Sequence, residues 1–173
     1  MKKKTIVLDT SAFIAGFDPM TIPEKQYTVT EVLDELKLES MPWVRLKAAI
    51  EKGKIEILKP KDVFFQEIMA MSKKVGDIKN LSLVDKKVLA LALELKNKDL
   101  VPLIVTDDYS IQNVANKIHI EFNSLMTIGI KYRFNWILYC PACFRKYSYD
   151  YEYQVCEICG TKLKRKPKKR IRL

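Results

Sequence analysis

The sequence predicts an α/β protein, a parallel sheet flanked by helices, followed by a small second module at the C-terminus. Three observations carry this. Short β-branched runs alternate with helical periodicity through residues 1–130. Charge is split unevenly: residues 1–130 hold 19 Lys and Arg against 18 Asp and Glu, whereas residues 131–173 hold 12 against 3. All four cysteines lie in that same last stretch. A chain of 173 residues has room for one domain of ordinary size and one small appendage.

The elements follow in order. Thr5-Ile6-Val7-Leu8 reads as a buried strand that ends at Asp9-Thr10-Ser11, with Thr10 or Ser11 expected to cap a short helix. Asp18-Pro19 and Pro23 mark loop. Tyr27-Thr28-Val29 is a second strand, after which Thr30 is expected to cap a helix reaching Leu38. A helix over residues 42–52 stops at Gly53, and residues 55–58 form a strand. Residues 63–74 are amphipathic and helical. Ser82, with Asp85 three residues on, opens a long helix through Leu95 like a capping box. Leu103-Ile104-Val105 is an apolar strand ending in Thr106-Asp107-Asp108. A helix over residues 111–117 and a short strand near Ile118-His119-Ile120 complete the domain. Residues 131–139 read as the bridge to the cysteines.

Several function classes drop out. The longest apolar run is too short to span a membrane. Lys2, Lys3 and Lys4 precede only four apolar-run residues, too few for a secretory signal, so a cytosolic chain is expected. In that compartment cysteines stay reduced and metal binding is the natural reading. His119 is the lone histidine and sits in a predicted strand, which suits a structural role better than catalysis. There is no Gly-rich phosphate loop.

The carboxylates carry the chemistry. Asp9 and Asp107-Asp108 each follow an apolar strand, and in open α/β sheets binding sites lie beyond the carboxyl ends of strands. Glu31 and Glu35 stand one helical turn apart, and Asp85 lies in the first turn of the long helix. Clustered carboxylates repel, and a hard divalent cation such as Mg²⁺ or Mn²⁺ removes that penalty. One or two such ions activate water and hold a scissile phosphate. Each acid also has a plain structural reading. Asp85 complements a helix dipole, Asp107 and Asp108 act as turn or cap residues, and Glu31 and Glu35 are solvated. Thr10, Ser11 and Thr106 either orient a carboxylate or phosphate or serve as helix caps.

Cys140-Pro141-Ala142-Cys143 and Cys156-Glu157-Ile158-Cys159-Gly160 give the spacing C-x₂-C-x₁₂-C-x₂-C. Two such knuckles supply four thiolates around Zn²⁺, and strand-like residues between them fit a zinc ribbon. A module this small depends on metal for stability. Four thiolates on one Zn²⁺ still leave the region clearly basic. Arg133, Arg145 and Lys146, among many aromatics, are candidates to contact RNA. So are Lys164, Arg165, Lys166, Lys168, Lys169 and Arg170 of the basic tail over residues 162–172. A tail that orders only on RNA is compatible with this composition.

Residues 6–13 (Ile6-Val7-Leu8-Asp9-Thr10-Ser11-Ala12-Phe13) resemble the opening motif of PIN-domain nucleases. The run Tyr27-Thr28-Val29-Thr30-Glu31-Val32-Leu33-Asp34-Glu35-Leu36 resembles their second motif, with its acid at Glu35. Leu81-Ser82-Leu83-Val84-Asp85 resembles the third, and residues 105–115, from Val105 through Asp107-Asp108 to Ala115, the fourth. With the cysteine module added, the resemblance narrows to the NIN-one-binding (Nob) family of ribosome-biogenesis endonucleases and covers nearly the whole chain. It implies a PIN-like nuclease domain over 1–130, a zinc ribbon with its linker over 131–162 and a basic tail over 163–173. It implies Mg²⁺- or Mn²⁺-dependent cleavage maturing the 3′ end of small-subunit rRNA on the nascent subunit. Asp9, Glu35, Asp85 and Asp108 would hold the metal, with Glu31 and Asp107 as alternates. Two rival readings remain: a non-catalytic RNA-binding assembly factor, and a toxin-type ribonuclease with another RNA target.

Overall fold

The computed structural model describes residues 3–75, 81–125, 132–148 and 151–172. Its first unit is a five-stranded sheet made of β1 (Lys4–Leu8), β2 (Lys25–Thr28), β3 (Ile55–Ile57), β4 (Val101–Val105) and β5 (Glu121–Asn123). The order is β3-β2-β1-β4-β5, and every neighbouring pair is parallel. The helices are α1 (Thr10–Ile14), α2 (Thr30–Glu35), α3 (Met41–Glu51), α4 (Asp62–Val75), α5 (Leu83–Asn97) and α6 (Tyr109–Lys117). The chain steps outward from β1 to β3, then returns to β4 on the other side of β1. With right-handed crossovers this puts helices on both faces. The packing agrees: α3 touches α1 and α2, while α5 touches α4 and α6.

The core explains the strand composition. Val7 and Leu8 of β1 and Ile104 of β4 are fully buried, as a central parallel strand covered on both faces requires. α5 buries Val88, Leu89, Leu91 and Leu95 against this layer. No helix among the described residues is long and apolar enough to cross a membrane.

The structure departs from expectation at several boundaries. Asp9 itself caps α1, accepting the Ser11 backbone N–H, so Thr10 and Ser11 already lie in the helix. Val29 rather than Thr30 precedes α2, with no side-chain cap, and α2 ends at Glu35 because Leu36 turns extended to bury its side chain. Ser40 then caps α3, and Pro42 sits in its first turn, where a missing N–H costs nothing. Residues 19–21 of the expected loop form a 3₁₀ turn. The last strand lies later than expected. His119 adopts a left-handed turn (φ 54°), and β5 begins at Glu121.

The second unit is a three-stranded antiparallel sheet. β6 (Tyr132–Tyr139) lies between β7 (Lys146–Tyr147) and β8 (Lys164–Arg172). Residues 131–139, read as a bridge, are thus mostly strand from residue 132 on. The basic stretch is strand as well, because β8 pairs along all of β6 and the ladder satisfies the backbone groups that the two strands turn toward each other. The register shifts between Asn135 and Trp136, opposite Pro167. Proline cannot donate to a ladder, and a bulge is where a strand tolerates it.

Candidate active site

β1 and β4 are neighbours at the point where the strand order reverses, and the crevice beyond their carboxyl ends is the usual binding position of such a sheet. Their register pairs Leu8 with Val105, so Asp9 and Thr106 leave the sheet side by side. The Asp9 N–H donates to the Val105 carbonyl at 3.2 Å, which extends the pairing by one residue.

Asp9 is the hub. It is only 3% exposed. Its Oδ2 accepts the Ser11 hydroxyl at 2.7 Å and the Thr106 hydroxyl at 2.8 Å. The same two hydroxyls organise the opposite loop. Ser11 Oγ accepts the Asp107 N–H at 2.9 Å, and Thr106 Oγ1 accepts the Asp108 N–H at 3.1 Å. Thr106 is in turn fixed by Gln112, whose buried Nε2 donates to the Thr106 carbonyl at 2.9 Å. Burial raises the Asp9 pKa, and the hydroxyl and amide donors pull it back only in part.

Asp108 and Asp107 diverge. Asp108 caps α6, its Oδ1 accepting the Ser110 N–H at 2.6 Å and the Ile111 N–H at 3.3 Å. Asp107 turns toward the end of β5, where its Oδ1 accepts the Ser124 hydroxyl and the Leu125 N–H. Asp85 enters from α5. Its carboxylate accepts the Ser82 N–H at 2.6 Å while Ser82 Oγ accepts the Asp85 N–H at 3.1 Å, the capping box anticipated from sequence. Burial first, then the negative charges of Asp9 and Asp108, push the Asp85 carboxyl up to about 6. Asp9, Asp85 and Asp108 therefore share one electrostatic neighbourhood.

The Asp85 shift yields a prediction. The folded chain favours the protonated acid more than the unfolded chain does. The stability this supplies is fully present below about pH 4 and is lost as pH rises through about 6. In metal-free protein, Asp85→Asn is expected to raise the melting temperature above pH 6 and to leave it unchanged below pH ~4. Thermal unfolding across pH checks this, and equal gains at both ends would contradict it.

The two glutamates of α2 also separate. Glu35 accepts the Thr10 hydroxyl at 2.5 Å, beside Asp9 in the chain. Glu31 forms an ion pair with Lys87 of α5. Lys87, Gln112 and Ser124 are partners the sequence reading did not single out. Lys87 lies two residues past Asp85, and Gln112 follows the Asp107-Asp108 turn, but nothing in the linear sequence pairs them with groups 56 and 6 residues away.

The acidic pocket fits a hard divalent cation. Its deepest carboxylate, Asp9, is held by hydroxyls and amides rather than by cations, and the charges of Asp9 and Asp108 add to the burial that holds the Asp85 carboxyl up. Among the described residues, the four cysteines are the one set whose ligand atoms all lie within 4.8 Å of one another.

That cysteine set is a metal site in its geometry. Cys140 Sγ lies 3.3 Å from Cys159 Sγ, and Cys143 Sγ lies 3.5 Å from Cys156 Sγ. These separations approach those of four sulfurs around a tetrahedral ion. The Tyr147 hydroxyl, 3.0 Å from Cys156 Sγ, pulls that thiol down to about 6, while Cys143 is pushed up to about 11. Crowded thiols cannot all ionise without a cation among them. Of the expected RNA contacts, Lys146, Lys164 and Arg165 are exposed, Arg145 pairs with Glu157 at 3.2 Å, and the Lys166 ammonium lies 4.4 Å from the centre of the Tyr139 ring. Arg133, Lys168, Lys169 and Arg170 lie on β6 and β8, their side chains outside the described residues.

Comparison with known proteins agrees with this architecture. A family model for the PIN domain of ribonuclease matches residues 6–95. The chain is 39% identical over 163 residues to Endoribonuclease Nob1 of Methanocaldococcus jannaschii, covering 94% of this chain and 78% of the relative. It is 38% identical over 168 residues to Endoribonuclease Nob1 of Methanothermobacter thermautotrophicus, covering 96% and 93%. It is also 33% identical over 164 residues to Ribonuclease VapC1 of Thermoplasma acidophilum, covering 95% and 79%. The Nob1 matches span both the five-stranded unit and the four-cysteine module of this chain, and the chain belongs to the Nob1 family of PIN-domain endoribonucleases.

Proposed function

We propose that this endoribonuclease cuts precursor small-subunit rRNA near its 3′ end, in the cytoplasm, on the nascent subunit. The observation that carries the reading is the convergence of Asp9, Asp85 and Asp108 beyond β1 and β4. The C-terminal module of the same chain holds most of its excess positive charge. In this division of labour residues 1–130 cut, while residues 131–162 and the basic stretch 163–173 hold the RNA. The cysteine site takes Zn²⁺, the ion suited to four thiolates in a tetrahedron. Asp9, Glu35, Asp85 and Asp108 hold Mg²⁺ or Mn²⁺, whose bound form supplies an activated water and neutralises charge on the cleaved phosphate.

The chain's own groups do the positioning. Ser11 and Thr106 keep the Asp9 carboxylate aimed and, through the Asp107 and Asp108 amides, tie the β4–α6 loop to it. Thr10 does the same for Glu35. Glu31, engaged by Lys87, is the weaker candidate of its pair, and Asp107, turned toward Ser124, is the weaker of its own.

The test is cleavage of an RNA spanning the small-subunit 3′ end with Mn²⁺ or Mg²⁺. One cut at that end is expected. Glu35→Gln should slow it by about a hundredfold and Glu31→Gln by less than about threefold, since loss of a ligand or its orienting partner typically costs 10–100-fold. Equal losses would reassign the ligand. Thr106→Val, which removes a donor to Asp9, is expected to weaken Mn²⁺ binding by about tenfold, read by calorimetry. The match to a VapC-named ribonuclease over 95% of this chain supports a second reading, a nuclease aimed at another RNA. Preferential cleavage of tRNA or mRNA over the rRNA precursor would favour it.

A further inference from the structure

The two cysteine knuckles are built alike. Cys140 N–H donates to the Arg145 carbonyl at 2.9 Å, and Cys156 N–H to the Thr161 carbonyl at 2.8 Å. Phe144 N–H donates to the Cys140 carbonyl at 2.9 Å, and Gly160 N–H to the Cys156 carbonyl at 2.9 Å. Residues 144 and 160 are therefore equivalent, and both are left-handed, at φ 59° and 68°. The second knuckle fills this position with glycine, which adopts that conformation freely. A Cβ at Gly160 would meet nothing within 4 Å, so backbone conformation and not space is what glycine answers there. The first knuckle fills the same position with a phenylalanine, which carries a steric penalty in this region of backbone space.

Internal packing does not repay that penalty. Phe144 is 72% exposed, the most exposed of the large apolar side chains described, and it stands outside the small core of Cys140, Tyr147, Cys156 and Leu163. Its surroundings are basic. Arg145 and Lys146 follow it directly, and the strand register sets Lys146 beside Tyr139 and Tyr139 beside Lys164 in one row across the three strands. The nearby acid Glu157 is paired with Arg145. A bare aromatic ring held out from a basic surface suits a ligand that offers both planar rings and negative charge, which is unpaired RNA.

We propose that Phe144 is a stacking platform for an unpaired base of the RNA substrate, and that the ring is displayed at the expense of the knuckle's own backbone comfort. The inference rests on RNA being the substrate but not on where the RNA is cut. The ring supplies affinity for a single-stranded segment with little choice of base, beside the phosphate contacts of Lys146 and Lys164.

The experiment compares the full, zinc-loaded chain with Phe144→Gly, Phe144→Leu and Phe144→Trp. Binding to a twelve-nucleotide single-stranded RNA, and to the same strand in a duplex, is measured across salt concentrations. Phe144→Gly should melt at the wild-type temperature or higher and retain zinc, yet bind the single strand about tenfold more weakly. The slope of affinity against salt should stay unchanged, because no charge is removed. Phe144→Leu should lose as much as Phe144→Gly, Phe144→Trp should bind like wild type, and duplex binding should not respond. Three results would overturn the proposal: a glycine variant that binds as well as wild type, one that melts lower, or a leucine variant that binds as well as phenylalanine. The last would make the patch a general apolar contact, as for a protein partner. Wild-type protein that binds RNA but does not cut the rRNA precursor would count against the proposed substrate and leave this test standing.

Discussion

Asp9→Asn is expected to remove RNA cleavage, with a fall in rate of about a thousandfold or more, and to leave the fold at least as stable as before. The loss follows from the position of Asp9 at the bottom of the acidic crevice, where it is the most buried of the gathered carboxylates. Several kcal/mol of transition-state stabilisation are expected from a correctly held divalent ion, and each ~1.4 kcal/mol is a factor of ten. The retained stability follows from burial. The Asp9 charge is disfavoured where it sits, and the neutral amide still offers one oxygen to the Ser11 and Thr106 hydroxyls that now converge on Oδ2. Three measurements decide the matter: the cleavage rate on the rRNA precursor, Mn²⁺ affinity by calorimetry, and thermal unfolding without metal. A variant that cuts at the wild-type rate would dismantle the active-site assignment. One that unfolds would show Asp9 to be chiefly a helix cap.

Cys156→Ser, or stripping the cysteine site with a chelator, is expected to disorder the C-terminal module while the five-stranded unit stays folded. The module's buried core consists of Cys140, Tyr147, Cys156 and Leu163, with Leu138 and Tyr151 packed against it. So little apolar surface cannot offset the entropy of ordering the chain. Apparent metal-binding free energies of ~10–16 kcal/mol in comparable small modules supply what the core lacks. Cys156 is the sharpest place to test this, since Tyr147 donates to its sulfur and holds the thiol near 6. Hydrogen exchange should show protection lost around residues 138–163 and retained in β1, β4 and α5. RNA affinity should fall along with it, because the exposed Lys164 and Arg165 lie on a strand that depends on the module's sheet. Protection that survives complete metal removal would refute the claim.

Much of the molecule can be read in the linear chain because its signals are local. The hydrophobic runs at residues 5–8 and 103–105 are strands wherever they pair, since β-branched apolar residues at that length suit a doubly covered sheet. Ser82 and Asp85 satisfy each other's backbone across one helical turn, so the capping box is complete in four residues. The cysteine spacing carries its own geometry. The order of strands and helices also limits the sheet to a few topologies, which is why acids at the ends of separate strands are expected near one another.

What linear reading left open was every choice between near neighbours. Glu31 and Glu35 share a helix face by spacing, and only the placement of α5 gives Glu31 to Lys87 while α1 gives Thr10 to Glu35. Asp107 and Asp108 are adjacent, and only the docking of β5 turns one toward Ser124 while the other caps α6 within electrostatic reach of Asp85. The basic stretch looked like a tail because its composition is that of a solvated chain, yet pairing with β6 makes it a strand. Residue type and spacing determine which groups can meet. Which of two equivalent groups does meet depends on contacts made across the sheet, where the energy that decides lies in pairings 17 to 97 residues apart and leaves no local trace.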